Sequence, residues 1–131
     1  GDRGVLVADT IGRLGGALDG KPVDDAGGRD VLSRLAGRAH LGTTAFVVGR
    51  SERMCAEEVT STVHFRPLSD AVIARYVATG EGRDKAGGYG IQGLGAGLVE
   101  RLEGSYFNVV GLPLERVLPA LLEVGAVAQW P

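Results

Sequence analysis

The sequence has little of what several protein classes require. Cys55 is the only cysteine in 131 residues, so no internal disulfide can form, and a reducing cytoplasm is the expected location. The net charge is −2 and no basic cluster is present, so a nucleic acid polymer is not an expected partner. No apolar run approaches the roughly 20 residues that cross a bilayer. A membrane is therefore not an expected partner either.

Lysine is also scarce. The chain has 12 arginines but only two lysines, Lys21 and Lys85, and both lie in polar segments near glycine. A compact ammonium group in a chain dominated by arginine indicates a site that needs a point charge, although chance is the competing explanation. Lys21 precedes Pro22, and a lysine on such a rigid turn can reach a phosphate. The alternative is a solvated turn residue.

The most informative feature that is present is the segment 84–93, which reads Asp-Lys-Ala-Gly-Gly-Tyr-Gly-Ile-Gln-Gly. Glycine lets a backbone turn tightly and approach a ligand closely. Asp84, Lys85 and Gln92 add a base or metal ligand, a cation for phosphate and a hydrogen-bonding edge. The segment therefore predicts a loop that closes around a small polar anion. It contains G-x-G-x-x-G, but no strand precedes it and no helix follows, so a dinucleotide site is not predicted.

The length predicts a single domain over residues 1–131. Runs of β-branched and aromatic residues predict strands, and capping residues followed by helical periodicity predict helices. The glycines at 12, 15, 16 and 20 predict a turn or hairpin, and residues 49–58 predict a polar connection. The predicted strands cover 5–8, 43–48, 59–65 and 98–102. One predicted helix follows the capping pair Asp24 and Asp25, a second follows Ser69, and Pro113 opens the last. This mixture predicts an α/β or α+β fold with a mixed, twisted sheet flanked by helices.

Asp9 directly follows the first predicted strand. A carboxylate at the carboxyl end of a strand faces the crevice in which α/β sheets bind ligands. There it could accept a proton from water or hold a divalent metal ion, and the alternative is a cap for the next turn. His40 and His64 have no cysteine or carboxylate at zinc-site spacing. They are interpreted as strand or surface histidines.

Seven segments of the sequence, in order along nearly the whole chain, resemble the Maf family of nucleoside triphosphate pyrophosphatases. These segments are 8–10, 20–22, 65–69, 76–81, 84–93, 103–106 and 109–113. The resemblance implies a Maf/inosine-triphosphatase-like fold with a nucleotide-binding cleft. It also implies hydrolysis between the α- and β-phosphates of a nucleoside triphosphate, with a divalent cation, Mg or Mn, as cofactor.

The resemblance also implies roles for individual residues. Asp9 would be the proton acceptor and a metal ligand. Lys21 would contact the phosphates, with Lys85 as a second cation for them. Thr10 and Gln92 would select the base. The Asp-Lys-Ala-Gly and Ile-Gln-Gly form of the loop resembles the branch that acts on dTTP and UTP, and a carboxamide can both donate to and accept from a uracil or thymine edge.

The sequence departs from the family pattern at several places. No segment matches the Ser-x-Arg-Arg motif of an N-terminal strand and helix, so the domain is expected to be shortened at that end. Gly82 replaces the proline usual after Thr-Gly-Glu. A missing strand would expose a sheet edge, which a second copy of the chain could cover as a homodimer. Two alternatives stay open: a catalytically weak or inactive nucleotide-binding module of the same family, and an unrelated structural domain.

Overall fold

A computed structural model describes residues 3–14, 17–19 and 21–131. The glycines at 15, 16 and 20, part of the predicted turn, lie outside this range. Eleven elements follow one another within these ranges. The strands are β1 (Gly4–Leu14), β2 (Ala17–Asp19), β3 (Ala39–Arg50), β4 (Arg53–Phe65) and β5 (Val99–Glu103). The α-helices are α1 (Asp25–Leu35), α2 (Asp70–Ala78), α3 (Tyr106–Val110) and α4 (Leu114–Glu123), and two 3-10 helices cover Ala86–Gly88 and Leu94–Leu98.

The strands form one five-stranded sheet in the order β2-β1-β3-β4-β5. The α/β class predicted from the sequence is confirmed. Each pair of neighbouring strands in the described ranges is antiparallel. In this part of the chain the sheet is therefore antiparallel, where the sequence had predicted a mixed one. A tight turn joins β3 to β4 and reverses the chain direction there, whereas β1 is connected to β3 through β2 and α1.

One face of the sheet carries both apolar clusters of the core. Alternate residues of a strand share a face, and β3 places Phe46 and Val48 on the side that α4 covers. On the same side, Val63 and Phe65 of β4 pack with α1 and α2. The register pairs Val63 with His40 and Phe46 with Ala8, so all three long strands contribute to this covered face. The region of the covered face between the two clusters is formed by β1 and β3.

Three of the strand predictions were too short. Residues 49–58 do not form a polar connection, because β3 and β4 continue to a tight turn with Arg50 paired to Arg53. Ser51 in that turn has a φ of 55°, as tight hairpin turns require. Asp9 does not end a strand either: β1 runs on to Leu14, and Asp9 pairs with Ala45 in its middle. The exposed polar positions of these strands concealed their length, because one face of an antiparallel sheet can be polar.

The helix predictions are confirmed at their capping residues. The side chain of Asp24 accepts a hydrogen bond from the backbone N–H of Gly27 at 2.7 Å, and that of Ser69 accepts one from Val72 at 3.2 Å. α4 begins after Pro113 and continues through Pro119. The short helix α3 was not predicted. Among the described residues, no helix combines the length and apolar character needed to span a bilayer.

Candidate functional site

A cavity of about 370 Å³ lies beside the middle of β1, bounded by the loop 81–93 and the end of α3. Its lining combines backbone of a glycine-rich loop with charged and amide side chains. All five residues singled out from the sequence border it: Asp9, Thr10, Lys21, Lys85 and Gln92. The structure therefore brings together, at one cavity, residues that lie up to 83 positions apart in the chain.

Asp9 and Thr10 border the cavity from opposite faces of β1, because successive strand residues alternate. The Thr10 hydroxyl lies on the covered face, 2.8 Å from the Thr44 hydroxyl and 3.3 Å from the carbonyl oxygen of Gly111, to which it donates. Asp9 is exposed. Thr10 is thus fixed by neighbours on β3 and after α3, while the Asp9 carboxylate is open to solvent and to a ligand.

Lys21 and Lys85 are both exposed at the cavity. Lys21 lies just before α1, and Lys85 just before the 3-10 helix Ala86–Gly88. Gly87 and Gly88 in that helix have φ values of 78° and 75°, a region that L side chains rarely adopt. This conformation folds the glycine-rich loop over the cavity with its lysine at the rim. Two ammonium groups at one opening can each contact a phosphate, and Asp84 and Glu81 border the same cavity.

Gln92 is exposed at the cavity, within a segment that Glu81 and Tyr76 hold. The Tyr76 hydroxyl donates to Oε1 of Glu81 at 2.6 Å and accepts from the backbone N–H of Gly90 at 2.9 Å. Glu81 also accepts from the backbone N–H groups of Leu94 and Gly95, each at 2.9 Å. The hydrogen bond from Tyr76 lowers the pKa of Glu81 most, which keeps the carboxylate ionised. Burial and the same carboxylate raise the pKa of Tyr76.

His40 forms the buried wall of the cavity. It is 4% exposed, and its Nε2 atom lies 2.7 Å from the Tyr89 hydroxyl. The rings of His40, Tyr89 and Phe65 meet edge to face, with centroids 4.8 to 5.5 Å apart. Burial, followed by the charge of His64, lowers the pKa of His40 from 6.5 to about 4, so the ring is neutral at pH 7. Burial also raises the pKa of Tyr89.

Sequence reasoning missed the functional position of four residues at this site: Glu81, Tyr76, His40 and Tyr89. Tyr76 was not singled out from the sequence, and His40 was interpreted as a strand or surface histidine. His40 does lie in a strand, but its ring packs against Tyr89 from a loop 49 residues away. One signal for Glu81 was available in the sequence. Thr79-Gly80-Glu81 follows α2, so a carboxylate stands directly after a glycine that ends a helix.

The cavity offers few side chains that could hold a divalent metal ion. No group of three or more histidine, cysteine, aspartate or glutamate side chains is placed to hold an ion, as far as the described ranges show. The Glu81 carboxylate is already engaged by three donors. Asp9 is an exposed carboxylate at the cavity. Mg²⁺ is commonly held by one or two carboxylates together with substrate phosphates and water. The donors at the cavity fit an ion bound in that way better than an ion bound by protein side chains alone.

Comparison with known proteins identifies the class to which this fold and cavity belong. The family described as Maf-like protein matches residues 1–124, and the chain therefore belongs to the Maf family. The family resemblance inferred from the seven segments is confirmed.

Individual relatives are similar over most of the chain. The dTTP/UTP pyrophosphatase of Thermus thermophilus is 52% identical over 117 residues, which are 89% of this chain and 63% of the relative. The dTTP/UTP pyrophosphatase of Alcanivorax borkumensis is 49% identical over 126 residues, which are 96% of this chain and 65% of the relative. That of Pyrococcus furiosus is 46% identical over 121 residues. The chain spans somewhat less than two thirds of the length of these curated relatives.

Proposed function

We propose that this protein is a nucleoside triphosphate pyrophosphatase that hydrolyses dTTP, UTP or modified pyrimidine nucleotides to the monophosphate and pyrophosphate. The observation that carries the proposal is the single cavity bordered by Asp9, Thr10, Lys21, Lys85 and Gln92. These are the residues that the family pattern assigns to such a reaction. The relatives named dTTP/UTP pyrophosphatase support the choice of substrate.

The proposed reaction is the attack of water on the α-phosphorus. Asp9 accepts the proton of that water, the bond from the α-phosphorus to the bridging oxygen breaks, and pyrophosphate leaves with the electron pair. Lys21 and Lys85 stabilise the charge that develops on the phosphate oxygens, which is the main contribution a protein can make to phosphoryl chemistry. Asp9 would hold a divalent ion, which when bound would neutralise phosphate charge and acidify water.

The base would be recognised at the other side of the cavity. Gln92 has a carboxamide that can donate to one atom and accept from the neighbouring atom of a uracil or thymine edge. Thr10 acts here through position, since its hydroxyl is engaged by Thr44 and Gly111. Its backbone and methyl group then border the base, where one methyl group contributes only about 1–3 kcal/mol to discrimination.

A second candidate is a nucleotide-binding module with little or no turnover. It is favoured by the alternation along β1, which directs the Asp9 side chain to the face opposite that of Thr10. If the nucleotide binds against Thr10 and Gln92 alone, the carboxylate would lie away from the α-phosphorus. Binding of UTP without any product over hours would support this candidate.

The test is pyrophosphate release from a panel of nucleoside triphosphates with Mg²⁺ or Mn²⁺, with and without a chelator. We expect turnover of dTTP and UTP that the chelator abolishes. Asp9→Asn should lower kcat by about 10²- to 10⁴-fold and retain UTP binding. Asp30→Asn, an exposed carboxylate paired with Arg34 on α1, is the matched control and should be fully active. Intact turnover in Asp9→Asn would remove Asp9 from the proton-accepting role.

Location and assembly form a separate part of the proposal. A cytoplasmic location is supported by Cys55, a half-buried free thiol in β4. A homodimer is supported by residues 4–11 of β1, which pair with β3 on one side and with no other described strand. Val5 and Val7 beside this edge are 58% and 63% exposed. Light scattering on purified protein tests the dimer, and a monomeric mass at 100 μM would contradict it.

A further inference from the structure

The segment that carries Gln92 is held on both sides of that residue. Two positions before Gln92, the backbone N–H of Gly90 donates to the Tyr76 hydroxyl at 2.9 Å. Two and three positions after it, the backbone N–H groups of Leu94 and Gly95 donate to Glu81, each at 2.9 Å. Because Tyr76 in turn donates to Glu81 at 2.6 Å, both anchors of the segment end at one carboxylate.

The fit between Glu81 and this segment is close. A Cβ atom on Gly93 would lie 2.2 Å from Oε2 of Glu81, and a Cβ atom on Gly95 would lie 2.2 Å from the carbonyl oxygen of Gly90. Glycine at both positions lets the backbone come near enough for the carboxylate to accept all its hydrogen bonds. The path of residues 90–95, with Gln92 near the middle, is therefore set by the side chain of Glu81.

A fixed path matters because uracil and cytosine present opposite patterns to a carboxamide. At the two atoms that differ, uracil offers an N–H donor and a carbonyl acceptor, whereas cytosine offers an acceptor and an amino donor. A carboxamide held in one orientation pairs with only one of these edges, while a carboxamide that can reorient pairs with either.

We propose that Glu81 and Tyr76 are positioning residues that hold the backbone on both sides of Gln92, place its carboxamide at the base and thereby give the cavity its preference for uracil and thymine over cytosine. The proposal rests on the proposed function, since it requires that Gln92 contacts the base. It gives Glu81 and Tyr76 a role that requires no contact with the nucleotide. Their effect on selectivity would pass through the backbone of residues 90–95.

Two variants separate this role from general loss of stability. Glu81→Gln keeps the shape, but the new amide group must face at least one of the backbone N–H donors, so one anchor is lost. Tyr76→Phe removes only the hydroxyl and frees the N–H of Gly90. Each variant should bind a non-hydrolysable α,β-methylene analogue of UTP more weakly and that of CTP about equally. The ratio of the two affinities should fall roughly tenfold.

A double-mutant cycle with Gln92→Ala distinguishes an effect that Glu81 exerts through Gln92 from a general effect on stability. Gln92→Ala should also lower the ratio, and adding Glu81→Gln to it should lower the ratio no further. Glu103→Gln, an exposed carboxylate paired with Arg101 and His64, is the control and should keep the unmodified ratio. Circular dichroism and urea unfolding identify any variant that fails to fold, in which case Tyr76→Phe still tests the proposal.

The outcomes distinguish the two levels of inference. Equal binding of the two analogues by the unmodified protein would overturn both the proposed pyrimidine selectivity and this inference. If the unmodified protein prefers the UTP analogue and both variants retain that preference, only the positioning role is wrong. An additive loss in the double variant would likewise show that Glu81 acts independently of Gln92.

Discussion

The Nε2 atom of His40 lies 2.7 Å from the hydroxyl oxygen of Tyr89. This contact joins the middle of the sheet to the glycine-rich loop, and both rings are buried against Phe65. The loop over the cavity therefore rests on an uncharged histidine. Protonation of His40 would introduce a charge into the core at the cavity wall.

The stability of the protein should fall as the pH decreases from 7 to 5. The pKa of His40 is about 4 in the folded protein and near 6.5 when the ring is solvated. Between these values the unfolded state binds more protons, so the free energy of unfolding rises with pH in this window. We expect His40 to account for a loss of about 2 kcal/mol between pH 7 and pH 5, measured by urea unfolding.

The variants for this prediction are His40→Phe and His64→Gln. His40→Phe removes the titrating ring, so its stability should change less between pH 7 and pH 5, although it is less stable at pH 7 because the Tyr89 hydroxyl loses its partner. His64→Gln, on the neighbouring strand, keeps His40 and removes only the smaller cause of its lowered pKa, so most of the pH dependence should remain. An unchanged pH dependence in His40→Phe would contradict the assignment.

The Ser61 hydroxyl should contribute more to stability than its exposed neighbour Thr60. Ser61 accepts from Nδ2 of Asn108 at 2.8 Å and from the backbone N–H of Ser105 at 2.9 Å, so Ser61→Ala leaves two donors without this acceptor. We expect a loss of about 1–3 kcal/mol in the free energy of unfolding. Thr60→Ala removes only an exposed contact to Thr43 and should cost less than about 1 kcal/mol.

Two glycines of the 3-10 helix Leu94–Leu98 should respond differently to a methyl group. A Cβ atom on Gly95 would lie 2.2 Å from the carbonyl oxygen of Gly90 and 3.0 Å from the Tyr76 hydroxyl, whereas one on Gly97 meets nothing within 4 Å. Gly95→Ala should cost about 1–3 kcal/mol or more through overpacking and weaken nucleotide binding. Gly97→Ala should stay within about 1 kcal/mol of the unmodified protein. Equal melting temperatures for the two variants would show that the backbone around Gly95 shifts to make room for the methyl group.

Lys21 and Lys85 should bind the phosphates and not the base. Each charge-assisted hydrogen bond contributes about 1.5–3 kcal/mol, so Lys21→Ala and Lys85→Ala should each weaken UTP binding by about 10- to 150-fold. Binding of UMP or uridine should change far less. Calorimetric titration with the three ligands tests this, and Arg75→Ala, an exposed cation on α2, is the control. Equal losses of affinity for UTP and uridine would show that the lysines do not contact the phosphates.

Local signals predicted the helices well and the strands only in part. Asp24 and Ser69 cap the helices that were expected after them, because a side-chain acceptor for a free backbone N–H is a local requirement. The β3–β4 hairpin was missed since its exposed ends, from Gly49 to Glu58, carry polar residues that also suit a loop. α3 was missed because its five residues are too few to show a helical period. Its N-cap residue is Ser105.

The sequence by itself determined the family, the α/β class and the residue types of the cavity, because motif order, capping and the glycine-rich loop are written in short stretches of chain. Only the tertiary structure decided that Asp9 lies in the middle of a strand and borders the cavity from the face opposite Thr10. It alone revealed that Glu81 holds both ends of the segment around Gln92. These are relations between residues distant in the chain, and strand register and backbone packing set them.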